Sequence, residues 1–260
     1  MVKAIKNIIK YKDFILYSTR SELKAEVGGA YLNWTWWLLE PVCYVLIYAL
    51  VFGVIMQRPE PFFILFLFLG ISLWEFFSKS INASVRMIRS NKAIISKVYL
   101  PKYILAISKL LVSLFKMVVS WFIIIALMIY YGLSINIYFF WLIPLLFVFC
   151  IIIFSFMCVI MHLGVFIDDL PNIINIVLRV TMLLTGIFFS IPALLPDWRG
   201  ELLVSLNPVA FIVNGFREVI LNGRQPNLIV LGIWLGVSIL VAFIGIRLIT
   251  KYENTYVKVI

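Results

Sequence analysis

The chain has 260 residues, of which 64% are apolar and 13% charged, and its mean hydropathy is +1.09. A soluble domain is about half apolar and about a quarter charged, so much of this surface must face lipid and a water-soluble globular fold is excluded. An outer-membrane barrel is excluded as well, because its strands alternate over about ten residues, whereas the apolar runs here reach the roughly 20 residues that one helix needs to cross a bilayer. The net charge of +10 follows the excess of Lys and Arg in cytoplasmic loops of membrane proteins, and no nucleic-acid partner is expected from it.

Residues 3–28 read as one amphipathic helix lying on the membrane surface. Ile5, Ile8, Ile9, Ile15, Leu16, Leu23 and Val27 recur near helical spacing, with Lys3, Lys6, Lys10, Asp13, Tyr17, Arg20 and Lys24 opposite them. This charged stretch carries no cleavable signal peptide pattern. Gly28-Gly29 gives the chain a place to turn into the bilayer. Six spans are then predicted, at about 31–56, 62–82, 103–131, 138–163, 172–191 and 228–249. Trp34, Trp36 and Trp37 bound the first as an interfacial belt. Trp37, Glu40, Tyr44 and Tyr48 share one face of it, a set suited either to helix packing or to lining a sugar path. Cys43, Cys150 and Cys158 fall in apolar runs, and no disulfide framework or metal site is expected from them.

Counting Lys and Arg orients the chain. The amino-terminal segment, the link between the second and third spans with its flanks, and the tail hold sixteen; the opposite connections hold four, at Arg58, Arg199, Arg217 and Arg224. Both termini and the 83–102 link are therefore expected in the cytoplasm. Lys116 and Arg179 fall within spans, where an ionisable group needs a partner, a cavity or a snorkelling route.

Two connections are more than turns. From Arg86 to Pro101 the sequence RMIRSNKAIISKVYLP suits one short basic helix, ended by Pro101. Arg89, Lys92 and Lys97 with Ile94, Ile95 and Val98 form its candidate docking face. On the other side, 192–227 is punctuated by Pro192, Pro196, Pro208 and Pro226. Asn207-Pro208 opens a helix over about 208–222 that carries Arg217 and Glu218, is closed by Gly223, and is too short to span. This external segment is expected to be re-entrant or interfacial and to act as a lid.

The sequence carries no catalytic signature. It has no G-x-x-x-x-G-K-[ST], no H-E-x-x-H and no G-x-S-x-G, a single histidine (His162) and one acidic pair, Asp168-Asp169. If ATP drives this protein, the ATPase lies on another chain. No metal is expected at the acidic pair, since no further ligands adjoin it.

The order of features resembles the membrane subunits of ATP-binding-cassette polysaccharide exporters, the permeases for O-antigen, capsule and wall teichoic acid. The resemblance rests on WTWWLLEP at 34–41, GISLWEFF at 70–77, SKVYLPK at 96–102, FIDD at 166–169, PALLP at 192–196, Asn207-Pro208 and Arg217, and it runs over nearly the whole chain. It implies an all-α permease without enzymatic activity of its own. Two copies would form a channel, driven by two ATPase subunits that hold ATP and Mg, and would pass a lipid-linked glycan. It makes the 86–100 helix a coupling helix and 192–227 a gate, and it favours Tyr44 and Tyr48, with Phe188 and Phe189 on the gate side, as lining the path. One departure stands out: Ile167 occupies the place where the family often has Arg before Asp. An exporter of drugs or lipids with the same fold, and a membrane transferase using Asp168 and Asp169, are the alternatives.

Overall fold

The computed structural model of the chain describes residues 2–28, 33–55, 60–95, 97 and 100–259, and their regular structure is entirely helical. Among the described residues, five helices are long and apolar enough to cross a membrane. The first is α3 (Trp36–Tyr48), which continues as a π-helix over Ala49–Ile55. The others are α4 (Phe63–Val85), α7 (Tyr103–Tyr130), α8 (Leu142–Phe166, entered through a 3-10 turn from Ile137) and α13 (Leu228–Lys251). Helix α4 is the hub. Of its apolar stretch 78% is buried, against 11% for the first span, and it packs on α7, α8 and α3. Along 65–74 its residues are all buried, from Leu65 to Trp74, so it is apolar all round, as a central helix must be.

The two ends of the bundle are fixed by contacts. At one end, rich in Lys and Arg, the end of α8 meets the chain just after α13, where His162 packs at a tilt against Tyr252 with ring centroids 5.2 Å apart. At the far end Phe62 packs edge-on against Tyr131 at 5.2 Å, and Glu60 accepts from the Ser190 amide at 3.3 Å. Phe62 takes up a left-handed backbone (φ 53°) to start α4, a strained choice for a non-glycine residue.

Three expectations change in detail. The amino-terminal segment is two helices, α1 (Val2–Lys10) and α2 (Lys12–Val27), parted at Tyr11. The second does not simply lie flat. Thr19 donates to the Ser108 carbonyl at 3.3 Å, Glu22 pairs with Lys109 and Glu26 with Lys116. Partners that rise together along both helices mean that the end of α2 climbs beside α7. The predicted link helix is likewise broken, into α5 (Met87–Ser90) and α6 (Lys92–Ile95) with Asn91 between them; Val98 and the side chain of Ile94 lie outside the described residues.

The third change concerns 172–191. Here α9 (Leu170–Leu184) has 15 residues, about 22 Å of helix, less than a hydrocarbon core of about 30 Å. The chain then turns through Gly186 at φ 68° into α10 (Ile191–Leu194) and a pair, α11 (Trp198–Leu206) and α12 (Pro208–Ile220), bent by 113° at Asn207. The expected single external helix thus has a partner. Helix α12 is buried almost throughout, against α4 and α8. The tail adds a last short helix, α14 (Glu253–Val259).

Candidate functional site

At the basic end, α2, α3, α4 and α7 enclose a cavity of about 490 Å³. Its wall from α3 carries Trp36, Trp37 and Glu40; α4 contributes Ser72, Glu75, Lys79 and Asn82; α7 contributes Lys109, Ser113, Lys116 and Ser120; α2 contributes Glu26. Lys79 is the hub on one side, bonded to Glu40 at 2.6 Å and to Glu75 at 3.2 Å. The other Glu75 oxygen, Oε1, is buried with no hydrogen-bond partner among the described residues. Lys116 lies about 20 Å along α7 from its start. Ionisable groups at such depth face water or one another, and these pair across a polar vestibule that reaches toward the middle of the bundle.

Above it the predicted face of the first span continues as an aromatic ladder. Tyr44 stacks on Tyr48 (centroids 6.4 Å), Tyr48 meets Phe188 at 4.5 Å, and Phe188 lies flat on Phe52 at 4.7 Å and 5°. Glu40 and Trp37 therefore belong to the polar chamber, where Trp37 also packs edge-on against Phe115 at 5.9 Å. Tyr44, Tyr48 and Phe188 form the layer above. Phe189 points elsewhere, into an apolar cavity of about 520 Å³ with Leu184, Leu195 and Leu206. Phe52 joins the ladder unforeseen, although it continues the step of four from Tyr44 and Tyr48; the π-helical turn that begins at Ala49 widens the spacing to suit that step.

The far side is held by two polar residues. Asn207 caps α12, accepting from the Val209 and Ala210 amides at 3.0 and 3.3 Å, while its amide group donates to Thr185 Oγ1 at 3.3 Å. It thereby ties the bend between α11 and α12 to the end of α9, and Pro208 sits at the first helical position as expected. Arg217 is not an external loop cation but a buried one, 5% exposed. Its guanidinium donates to the carbonyls of Gly186 (2.7 Å), Ile187 (2.8 Å) and Phe66 (3.2 Å) and stands 3.4 Å above the Phe66 ring. The first two carbonyls follow the end of α9, where no helical amide serves them; Arg217 supplies the donors from across the bundle. Glu218 is half-buried. Pro192 lies in the first turn of α10, and Pro196 follows that helix.

Arg89, expected on the docking face, is exposed and reaches the end of α8. It bonds Asp168 at 2.5 Å and the Val165 carbonyl at 2.8 Å. The cation beside Asp168 therefore comes from the link, while Arg179 is exposed. Lys92 and Lys97 are exposed and Ile95 half-buried. Beneath α8, the tail residue Tyr256 is fully buried and its hydroxyl meets His162 Nδ1 at 2.6 Å. Burial first, then the neighbouring Glu253 and Tyr252, push its phenol pKa up. Glu253 pairs with Lys102, itself buried.

Glu22, Glu26 and Glu253 carry ion pairs that single-helix patterns did not assign. The signal for the first two was present: an acidic pair four residues apart on α2 faces a basic pair seven apart on α7.

A family model described as ABC-2 type transporter matches residues 15–221. The chain is also similar to an O-antigen export system permease protein RfbA of Myxococcus xanthus, 24% identical over 231 residues and 87% of each chain. An RfbA of the same description from Klebsiella pneumoniae is 21% identical over 249 residues, 95% of each chain.

Proposed function

Because the chain belongs to the ABC-2 type transporter family, whose members are transport membrane subunits, we propose that it is the permease of an exporter for a lipid-linked cell-surface polysaccharide. Two copies form the channel, and two separate ATPase subunits, holding ATP and Mg, drive it from the cytoplasmic face of a bacterial cytoplasmic membrane. The termini and the 83–102 link lie on that face. The observation that carries this function is the order of surfaces along one path: a charged vestibule, then the ladder of Tyr44, Tyr48, Phe52 and Phe188. Carboxylates, ammoniums and hydroxyls exchange hydrogen bonds with sugar hydroxyls, and flat rings stack on sugar C–H faces. The likeness to O-antigen export permeases over most of both chains supports the same cargo class. The sparse burial of the first span supports a second copy packed against it.

Two experiments test this proposal. An affinity-tagged chain is expected to co-purify with an ATPase, and Lys92→Glu with Lys97→Glu to reduce the recovered ATPase several-fold; full recovery from the double variant would remove these lysines from the docking face. Tyr44→Ala with Tyr48→Ala is expected to cut surface polysaccharide several-fold while leaving the complex intact, because both rings lie above the vestibule, away from the link. Normal export from that variant would leave the ladder a packing feature only.

A lipid or drug cargo is the second reading, favoured by the apolar cavity around Phe189. Stimulation of ATP hydrolysis by added lipid or drug, and none by lipid-linked glycan, would select it. The Arg89 bond to Asp168 gives that acidic residue a structural partner and supports neither a transferase nor a metal role.

A further inference from the structure

The tail beyond α13 has no part in the path described above, yet it is built into the bundle. Glu253 holds Lys102, the last residue before α7. Tyr256, fully buried, sits among His162, Phe166 and Tyr252, with ring centroids 6.0 Å from both His162 and Phe166. Both sides of the Glu253–Lys102 pair are nearly closed to solvent, with side-chain exposures of 13% and 4%. Removing one partner of an ion pair so buried leaves an uncompensated charge out of water, whereas an exposed pair is screened and holds little.

The same end of α8 also receives Arg89 from the start of the link, on Asp168 and the Val165 carbonyl. The link is thus tied at its start to α8, and at its end, through Lys102, to α14, which rests on α8. Helix α8 in turn makes the most extensive helix pair of the bundle, with α13. The first span has no share in this block and is the least buried.

We propose that α14 is a staple that makes the link, the start of α7, α8 and α13 move as one body, with Glu253 and Tyr256 as positioning residues for energy transfer from the ATPase. The inference rests on the permease function proposed above. A push on the link is then delivered to the α8–α13 pair, and the loosely held first span is the element it moves against. Without the staple, the end of the link follows α7 alone, and ATP is hydrolysed without full transport.

The test uses the chain with Cys43→Ser, bearing Lys102→Cys and Glu253→Cys, in complex with its ATPase. Uncrosslinked, this variant is expected to hydrolyse ATP within twofold of the parent rate and to export at least fivefold less. Joining the two thiols with a short bis-maleimide is expected to restore export to within twofold. Parental export before crosslinking, or export still low after it, overturns the staple. A second arm needs no ATPase. In the isolated chain Glu253→Gln is expected to speed amide exchange over 103–106 and 162–166 at least fivefold, and unchanged exchange overturns the staple too. If the parent chain binds no ATPase, the permease function fails, and the exchange arm still decides whether the staple exists.

Discussion

Arg217→Lys should lower the unfolding midpoint of the detergent-solubilised chain by roughly 6–12 °C. The guanidinium serves three carbonyls at once, those of Gly186, Ile187 and Phe66. Lysine keeps the charge but is a point donor on a flexible stem and lacks the planar fork. Hydrogen bonds to a charged group contribute about 1.5–3 kcal/mol each, so losing one or two of them, together with the contact on the Phe66 ring, costs about 3 kcal/mol. For a chain of this size each 1 kcal/mol is about 2–4 °C. A midpoint within about 2 °C of the parent would mean that the carbonyls find other donors. Gly70 gives a cross-check. A Cβ there would stand 2.7 Å from Arg217 Nη2 and 3.2 Å from Ile187 Cγ2, so Gly70→Ala displaces the same group. The double variant should be less destabilised than the sum of the two, since both act on one contact.

This contact also marks where sequence patterns stop. Gly70 and Arg217 are 147 residues apart, and each is conspicuous in its own motif, but nothing in either motif names the other. What a run of residues does encode is the face it buries and the place where its helix starts or stops. The spans in and near α4, α7, α8 and α13 follow from apolar length alone, and the cap at Asn207-Pro208 is local chemistry that survives in the fold. The vestibule was half legible for the same reason. Trp37, Glu40, Tyr44 and Tyr48 share a face by period, whereas Lys79, Lys109 and Lys116 acquire meaning only from the carboxylates opposite them. Arg89 shows the same limit: exposed by pattern and exposed in the fold, it also bonds Asp168, a partner 79 residues away that its own motif does not name. Helix α9 shows another. Its apolar run is long enough by composition to suggest a full span, but Gly186 and the carbonyls claimed by Arg217 end the helix early.

Gly164→Ala should be the most damaging alanine substitution among the described glycines. A Cβ at Gly164 would lie 1.9 Å from the Val85 carbonyl oxygen and 2.9 Å from its carbon. The obstacle is backbone, so no side-chain rotation relieves it, and α4 and α8 must part where they leave the bundle. Overpacking costs about 1–3 kcal/mol and occasionally more; a backbone collision puts this variant at or above the upper figure. Gly232→Ala is the control, because a Cβ there meets nothing within 4 Å and a helical glycine replaced by alanine gains about 0.5–1 kcal/mol. The damage should also be functional. Val165, next in sequence, offers the carbonyl that Arg89 grips, and Asp168 lies one turn on. Parting α4 from α8 pulls the link off its anchor, so whatever Gly164→Ala protein survives in the membrane should hydrolyse ATP with its partner yet export several-fold less per molecule. Export per molecule equal to the parent's, measured on protein matched for abundance, would separate the packing of these two helices from the drive of the transporter.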